Sequence, residues 1–296
     1  MVRNAYPEIR TVAIIGAGRV GTSLGLALEE KGFLIRAISC RRQDSAFQSQ
    51  TILRKKKIIF RPEEAARQAE VIFLSVADDQ LVPLVKRLAQ SRIAWEGKFV
   101  FHLSGLKGSE ILKPLEKRGA MTASFHPIQS FPVKGMPPSR WQNIFIGLEG
   151  GRRAVELAKR ISLSLGARPL LVNRKKKPLY HAACSLASNH LVALFSVAIS
   201  LLRELGLQEK EALAVLKPLL FGTCLNLASA DPASALTGPV ARADLETVKR
   251  HLEALGRYPR ASIIYRQLGL EAVSLAKKRG LNSSKAAALK RLLQDK

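Results

Sequence analysis

The stretch Thr11-Val12-Ala13-Ile14-Ile15-Gly16-Ala17-Gly18-Arg19-Val20-Gly21 decides how the whole chain is read. Four β-branched residues in its first five positions suit a short buried strand, and the run stops at a glycine able to make a tight turn. Gly16, Gly18 and Gly21 follow the G-x-G-x-x-G spacing. In that spacing the first glycine allows the turn, the second lets backbone approach a pyrophosphate, and the third lets the next helix pack on the strand. A helical pattern then runs from Arg19 to Lys31. Its first N–H groups and positive dipole end would face the phosphates across Ala17, Gly18, Arg19 and Val20, so no side chain is needed for that step. The strand-turn-helix context turns a weak motif into a dinucleotide site. The competing reading is a glycine-rich turn that only packs.

About 20 residues past the glycines, a second strand at residues 33–39 should end beside the adenosine ribose. An NAD site carries an acidic residue there to accept from the ribose 2′-hydroxyl, and this chain has none before Asp44. It reads Ser39-Cys40-Arg41-Arg42 instead. A hydroxyl and two guanidinium groups suit a 2′-phosphate, so NADP is expected in preference to NAD, held by Ser39, Arg41 and Arg42. The alternative assigns both arginines to a general surplus of positive charge.

That surplus is large: the chain of 296 residues carries a formal charge of +25 and contains two matching runs, Arg54-Lys55-Lys56-Lys57 and Arg174-Lys175-Lys176-Lys177. Such charge raises association with any polyanion. Aromatic residues are few, however, and no basic stripe interleaved with them appears, so specific nucleic-acid binding is not expected and the runs read as solvated faces. The length suits two domains, and 47% apolar content is ordinary for a globular chain. The first residues have no apolar core of a secretory signal. Residues 182–202 are apolar enough to suggest a membrane span, but Asn189, His190 and four serines interrupt them, so a buried bundle helix is expected. Cys40, Cys184 and Cys224 are widely spaced, which suggests neither a disulfide framework nor a metal site and fits a reducing cytoplasm.

In chain order, a short strand at 58–60 and a helix at 62–69 lead to the apolar strand 71–76, which carries Ser75 and Val76 and ends at Asp78-Asp79, where Asp79 would cap a helix. Strand 98–103 delivers His102, Ser104 and Gly105 to the same edge, and strand 120–125 delivers His126 and Gln129. Ligands lie beyond the carboxyl ends of such strands, so this is where a nicotinamide and its reaction partner would meet. Strands at 143–148 and 169–172 around a helix at 151–165 complete an α/β domain over residues 1–174 with a mostly parallel sheet.

Residues 175–296 read as an all-helical domain, with helices at 178–205, 208–228, 244–255, 259–278 and 283–293. On the first of these His181, Ser185, Ser188 and Asn189 fall within an arc of roughly 80° at about 100° per residue. A polar stripe on so apolar a helix needs partners, either a wet cleft or a hydrogen-bond network between helices. Arg242, in the loop Leu236-Thr237-Gly238-Pro239-Val240-Ala241-Arg242-Ala243-Asp244, could bind a substrate anion, and Asp244 suits a helix cap.

Gly16-Ala17-Gly18-Arg19-Val20-Gly21, Ser104-Gly105, Phe125-His126-Pro127-Ile128-Gln129-Ser130-Phe131, Tyr180-His181, Ala187-Ser188-Asn189 and the Leu236–Pro239 loop with Arg242 give the chain a family resemblance. It resembles, nearly end to end, a bacterial family that pairs a Rossmann-like NADP-binding domain with a helical domain of unknown function. The wider superfamily includes 6-phosphogluconate dehydrogenase, ketopantoate reductase and pyrroline-5-carboxylate reductase. The resemblance implies NAD(P)-linked oxidoreduction and a homodimer packed through the helical domains. It also exposes two departures. Ser185 stands four residues before Asn189, where β-hydroxyacid dehydrogenases of the superfamily carry a catalytic lysine, and Ala243 stands where the loop usually has glycine.

The resulting expectation is a reductase of a small anionic carbonyl or imine compound. Substrate would lie between Ser104, Gly105, His126, Gln129 and Arg242 and the His181–Asn189 stripe, with His181 or His126 giving the proton, Asn189 orienting, and Ser185 counted with the catalytic set in the place of the lysine. Two other classes compete: a sensor or scaffold that binds NADP without catalysis, and a protein that binds polyanions through charge alone.

Overall fold

The computed structural model describes residues 11–41, 48, 51 and 58–295. Arg42 and the basic run at 54–57 lie outside the described residues. The chain forms two compact units, Met1–Ser188 and Asn189–Lys296.

Eight strands build one sheet in the first unit: β1 (Thr11–Ile15), β2 (Leu34–Ser39), β3 (Ile58–Ile59), β4 (Val71–Leu74), β5 (Phe99–His102), β6 (Met121–Pro127), β7 (Phe145–Gly150) and β8 (Arg168–Leu171). Their spatial order is β3-β2-β1-β4-β5-β6-β7-β8. All neighbours pair parallel except β6 and β7, which run antiparallel with Phe125 opposite Leu148. Helices α1 (Arg19–Glu30), α2 (Pro62–Arg67), α3 (Asp78–Gln90), the short α4 (Lys113–Glu116) and α5 (Arg152–Ser164) connect the strands.

Both faces of this sheet are covered, which is why its strands read as unbroken apolar runs. Val12 and Ile14 point into a core shared with Leu24 and Leu28 of α1 and Ile161 of α5. Ala13 and Ile15 point into the opposite core with Ala65 of α2 and Leu81 and Val85 of α3. Phe73, Phe101 and Phe125 from neighbouring strands stack in the first core, with the Phe73 ring centroid 5.3 Å from each of the other two. Asp79 does not cap α3: Ala77 holds the cap position, two residues earlier, and Asp78 and Asp79 together place negative charge in the first turn.

Beyond β8 the chain is helical. Helix α6 (Lys177–Ser185) runs through a π-turn at Leu186–His190 into α7 (Leu191–Arg203). The expected single helix is therefore interrupted, and the wider turn carries Ser188 and Asn189 round the axis from the positions a pure α-helix would give. The expected burial is not found within the chain either. The helical stretch Arg174–Arg203 and helix α8 (Glu209–Ser229) are both long and apolar enough to cross a membrane, with mean hydropathies of 1.7 and 1.5 over a window of 18 residues, yet only 0% and 6% of those windows is buried.

The second unit continues through α9 (Pro232–Ala235), α10 (Leu245–Leu255), α11 (Pro259–Lys278) and α12 (Ser283–Gln294). Val248, Leu252, Val273, Leu289 and Leu293 form its core. Asp244 caps α10 as the sequence suggests, accepting from Thr247 N at 3.0 Å and Thr247 Oγ1 at 2.7 Å. To do so the chain turns through Ala243 at φ 58°. The left-handed region costs a residue with a Cβ roughly 1–2 kcal/mol. Glycine avoids that cost but loses about 0.4–1 kcal/mol through the freedom of the unfolded chain. Ala243→Gly is therefore expected to stabilise the helical unit by about 0.5–1 kcal/mol in urea unfolding, and a loss of stability would contradict this account of the turn.

Candidate functional site

Three strand ends are stitched together at the glycine turn. Gly16 N donates to Ser39 O at 2.9 Å and Ser75 N donates to Ile15 O at 2.7 Å. Gly16 sits at φ +113°, and a Cβ there would overlap the Ser75 carbonyl. A Cβ at Gly21 would overlap Gly16 O and stand 3.0 Å from Ser75 Oγ. Gly18 differs: nothing lies within 4 Å of where its Cβ would be, and it precedes α1 with no side-chain cap. The first N–H groups of α1, from Arg19 onward, lack intrahelical partners by helix geometry, so they border an open cradle that suits a pyrophosphate.

Next to the cradle lies a cavity of about 470 Å³ lined by Gly16, Ser39, Arg41, Phe60, Val76 and Arg87 among others. Apolar walls beside guanidinium groups suit an adenosine carrying a phosphate. Arg41 Nη1 donates to Gln80 Oε1 at 3.2 Å, which holds it at the rim. Arg87 faces Glu63 in a two-pronged pair, with Nη2 2.9 Å from Oε2, and is already engaged. Ser75, Val76 and Ser104, at the strand ends that should border the cofactor, belong with Gly16, Ser39 and Arg41 to the residues expected to hold it; of these the structure brings Gly16, Ser39, Arg41, Ser75 and Val76 to one cavity.

Further along the same sheet edge, β6 carries His126 next to its last residue and α6 brings Tyr180 and His181 against it. Tyr180 Oη lies 2.6 Å from His126 Nδ1. The two histidine rings meet edge to face, 5.7 Å between centroids. A Cβ at Gly105 would overlap His181 Nδ1 and stand 2.7 Å from His126 Nε2, so both histidines converge on a glycine that alone leaves them room. Gly147 on β7 gives the Tyr180 ring its space in the same way, since a Cβ there would stand 2.9 Å from Cζ. Burial, reinforced by the positive charge of His181 and Lys177, lowers the His126 pKa to about 4. Burial likewise keeps the Tyr180 hydroxyl protonated well above neutral pH. His181 Nδ1 is buried against Gly105 with no hydrogen-bond partner among the described residues.

His102 does not reach this recess: it is 0% exposed within the sheet. Burial first and Lys177 second push its pKa to about 3. Ser104 is buried with its hydroxyl donating to Asp78 Oδ2 at 2.9 Å. Gln129 is exposed and spends Oε1 on Ser130 N at 2.8 Å. Ser185 ends α6, while Asn189 and the exposed Arg242 belong to the second unit. Tyr180 and the buried Lys177 are the residues the sequence reading did not place in the site. The basic run 174–177 is thus not a solvated face throughout, because its last member is 1% exposed. No group of histidine, cysteine, aspartate or glutamate able to hold a metal ion occurs among the described residues.

Two family matches cover this architecture. Residues 4–127 match the Rossmann-like domain, and residues 144–272 match a domain of unknown function, DUF2520. None of the curated proteins matches the sequence. Among solved structures, a Bacteroides fragilis protein provisionally assigned as an NADP oxidoreductase is 22% identical with a TM-score of 0.73, covering 91% of this chain and 99% of its own. A Thermotoga maritima protein is 26% identical with a TM-score of 0.69, covering 90% and 99%. The reductive aminase of Aspergillus terreus, solved with NADPH and ethyl-5-oxohexanoate, is 16% identical with a TM-score of 0.60, covering 97% and 93%. The shared fold is a Rossmann-type, mostly parallel sheet followed by helices.

The neutral histidines make stability depend on pH. His126 titrates near 4 in the fold and near 6.5 when unfolded, so the unfolded chain binds the extra proton between these values. Above pH 6.5 His126 is neutral in both states and costs nothing, and a penalty of about 3 kcal/mol builds up as pH falls toward 4. Urea unfolding should therefore show a drop in stability from pH 7 to pH 5 that shrinks by about 2 kcal/mol in His126→Gln. An unchanged drop would show that folding does not lower the His126 pKa.

Proposed function

Because the chain joins a Rossmann-like domain to the DUF2520 domain, we propose that it is an NADP-dependent oxidoreductase that reduces a small, anionic carbonyl or imine compound. The observation that carries this reading is the open cradle at Gly18, set beside a cavity that holds Ser39 and Arg41. The NADPH in the reductive aminase structure supports the choice of cofactor by likeness of fold. The backbone of residues 16–21 is assigned to the pyrophosphate, and Ser39 and Arg41 to the 2′-phosphate. Arg42 is kept in that set on chemical type alone.

When bound, a reduced nicotinamide supplies the hydride. The chain must supply a water-poor recess and a hydrogen-bond donor at the atom that gains charge. His126 is neutral near pH 7, so it offers one N–H and no ready proton. A carbonyl needs a proton as its oxygen becomes negative, and His181 is assigned that role. An iminium already carries its proton and asks only to be held, which favours imines. Asn189 and Ser185 are assigned to orient substrate, and Arg242 to bind its anionic group. The serine at 185, in place of a lysine, favours a second reading: an NADP-binding sensor without catalysis.

The helical half is proposed to pair with a second copy of the chain. Leu186, Val192, Leu219, Phe221 and Leu225 are all mainly exposed, and an apolar surface of this extent marks an interface. Asn189 and His190 within the π-turn, and Lys217 on α8, fit a protein partner better than lipid. Cys184 and Cys224, thiols outside any disulfide, fit a reducing compartment.

Titration with NADPH and NADH, followed by nicotinamide fluorescence, tests the cofactor. NADPH is expected to bind about tenfold tighter or more, since one charge-assisted hydrogen bond contributes about 1.5–3 kcal/mol. Arg41→Glu should erase the difference, and equal affinities would reject the phosphate assignment. On a panel of cyclic imines and 2-oxo acids, His181→Gln should lower turnover about 10²-fold. NADPH binding with no oxidation across the panel would favour the sensor. Light scattering should give twice the 32.5 kDa chain mass, reduced to one chain in Leu219→Glu/Leu225→Glu. A monomeric wild type that sediments with lipid vesicles would overturn the pairing.

A further inference from the structure

The loop behind Gly105 is built around a buried ion pair. Lys177, 1% exposed, opens α6 while the three basic residues before it stay exposed. Its Nζ reaches the carbonyl oxygens of Ser104 at 3.4 Å and of Lys107, the Ser124 hydroxyl at 2.5 Å, and Glu149 Oε1 at 3.3 Å. Glu149, 6% exposed, also accepts from Ser109 N at 2.6 Å, Ser109 Oγ at 2.9 Å and Arg174 Nε at 3.2 Å. From the other side Ser104 Oγ accepts from the N–H groups of Leu106 at 3.2 Å and Lys107 at 2.9 Å. One ammonium therefore ties together the loop after β5, the middle of β6, the end of β7 and the start of α6.

Burying an ammonium and a carboxylate is costly even when they pair, and apolar side chains could fill such a space at less cost. What the charge supplies here is a hold on two backbone carbonyls that no apolar side chain can make. Those carbonyls flank Gly105, the residue on which both histidines converge.

We propose that Lys177 is a positioning residue of the histidine recess, a buried post around which the Ser104–Lys107 loop closes so that Gly105 meets His126 and His181 in one fixed arrangement. The proposal rests on reading that recess as the substrate end of a reductase site. Lys177 is faced by Glu149 from β7, Glu110 from the turn after Gly108, Asp78 from α3, and His102 and His126 from β5 and β6. Tyr180 and His181 of α6 complete the surroundings of His126. Removing the ammonium leaves its acidic neighbours in place and takes a positive charge from behind His126.

The test compares wild type and Lys177→Met as full chains without nucleotide, by amide hydrogen exchange and by histidine NMR across pH. The amides of Leu106 and Lys107 should exchange about tenfold faster in the variant, because the turn they close loses its support. The His126 titration midpoint should move up, since a positive neighbour is gone. NADPH affinity should stay within about threefold, because the glycine turn makes none of these bonds. Wild-type exchange and an unmoved His126 midpoint in the folded variant would overturn the proposal, as would a loss of NADPH affinity that signals damage to the whole sheet. Should Lys177→Met not fold, Ser124→Ala keeps the ammonium and removes one partner. Faster exchange at Leu106 and Lys107 there supports the post, and wild-type exchange rejects it. Failure of the wild type to bind NADPH would refute the reductase reading alone, since the loop and histidine measurements need no nucleotide.

Discussion

The Ser75 carbonyl occupies the place where any Cβ at Gly16 would stand. Much of the first unit follows from that contact. It lets β1 and β4 end level with each other, Ile15 opposite Leu74, while Gly16 N reaches across to Ser39 at the end of β2. The chain leaves β1 toward one side of the sheet and β4 toward the other, because the order β2-β1-β4 reverses there. A crevice opens where the strand order reverses, and it is bordered by backbone rather than by side chains. The cavity with Ser39 and Arg41 is that crevice.

This part was legible in the sequence because it depends on local chemistry. A strand covered on both faces must be apolar throughout, and a turn of that shape must be glycine, so the residues could hardly be otherwise. Strand and helix positions follow from the same logic, as does the Asp244 cap. The antiparallel placing of β7, the π-turn at 186–190 and the exposure of α7 were not legible. Each depends on partners distant in sequence or on a surface outside the chain, and an apolar helix reads alike whether its own fold or another molecule covers it. Ala243 shows the opposite case. Its departure from glycine was visible in the sequence, and the structure gives it a cost, a φ of 58°.

The histidine recess was legible by half. His126 and His181 stand at a strand end and on a helix face, where position alone marks them. Tyr180 joins them only because residues 54 apart in sequence come together. Lys177 was hidden by its company, since a run of four cations ordinarily faces water. Its spacing was the clue: Lys177, His181 and Ser185 fall at i, i+4 and i+8, so the polar stripe of α6 begins one turn before the histidine. Lys177 is buried against Glu149, Arg174 reaches the same carboxylate from the exposed side, and Lys175 and Lys176 remain outside.

The protonation states in the recess constrain its chemistry. With the Tyr180 hydroxyl kept protonated and His126 neutral, Nδ1 accepts from the tyrosine and the single imidazole proton moves to Nε2. Nε2 is the nitrogen that faces Gly105, so a donor and not an acceptor is presented there. His181 Nδ1 faces the same glycine with no partner among the described residues. In the reading proposed above, the fixed His126 donor holds the accepting atom of a substrate and His181 stands beside it to give the proton. The tyrosine thus acts at a distance, setting which proton the recess offers without facing Gly105 itself.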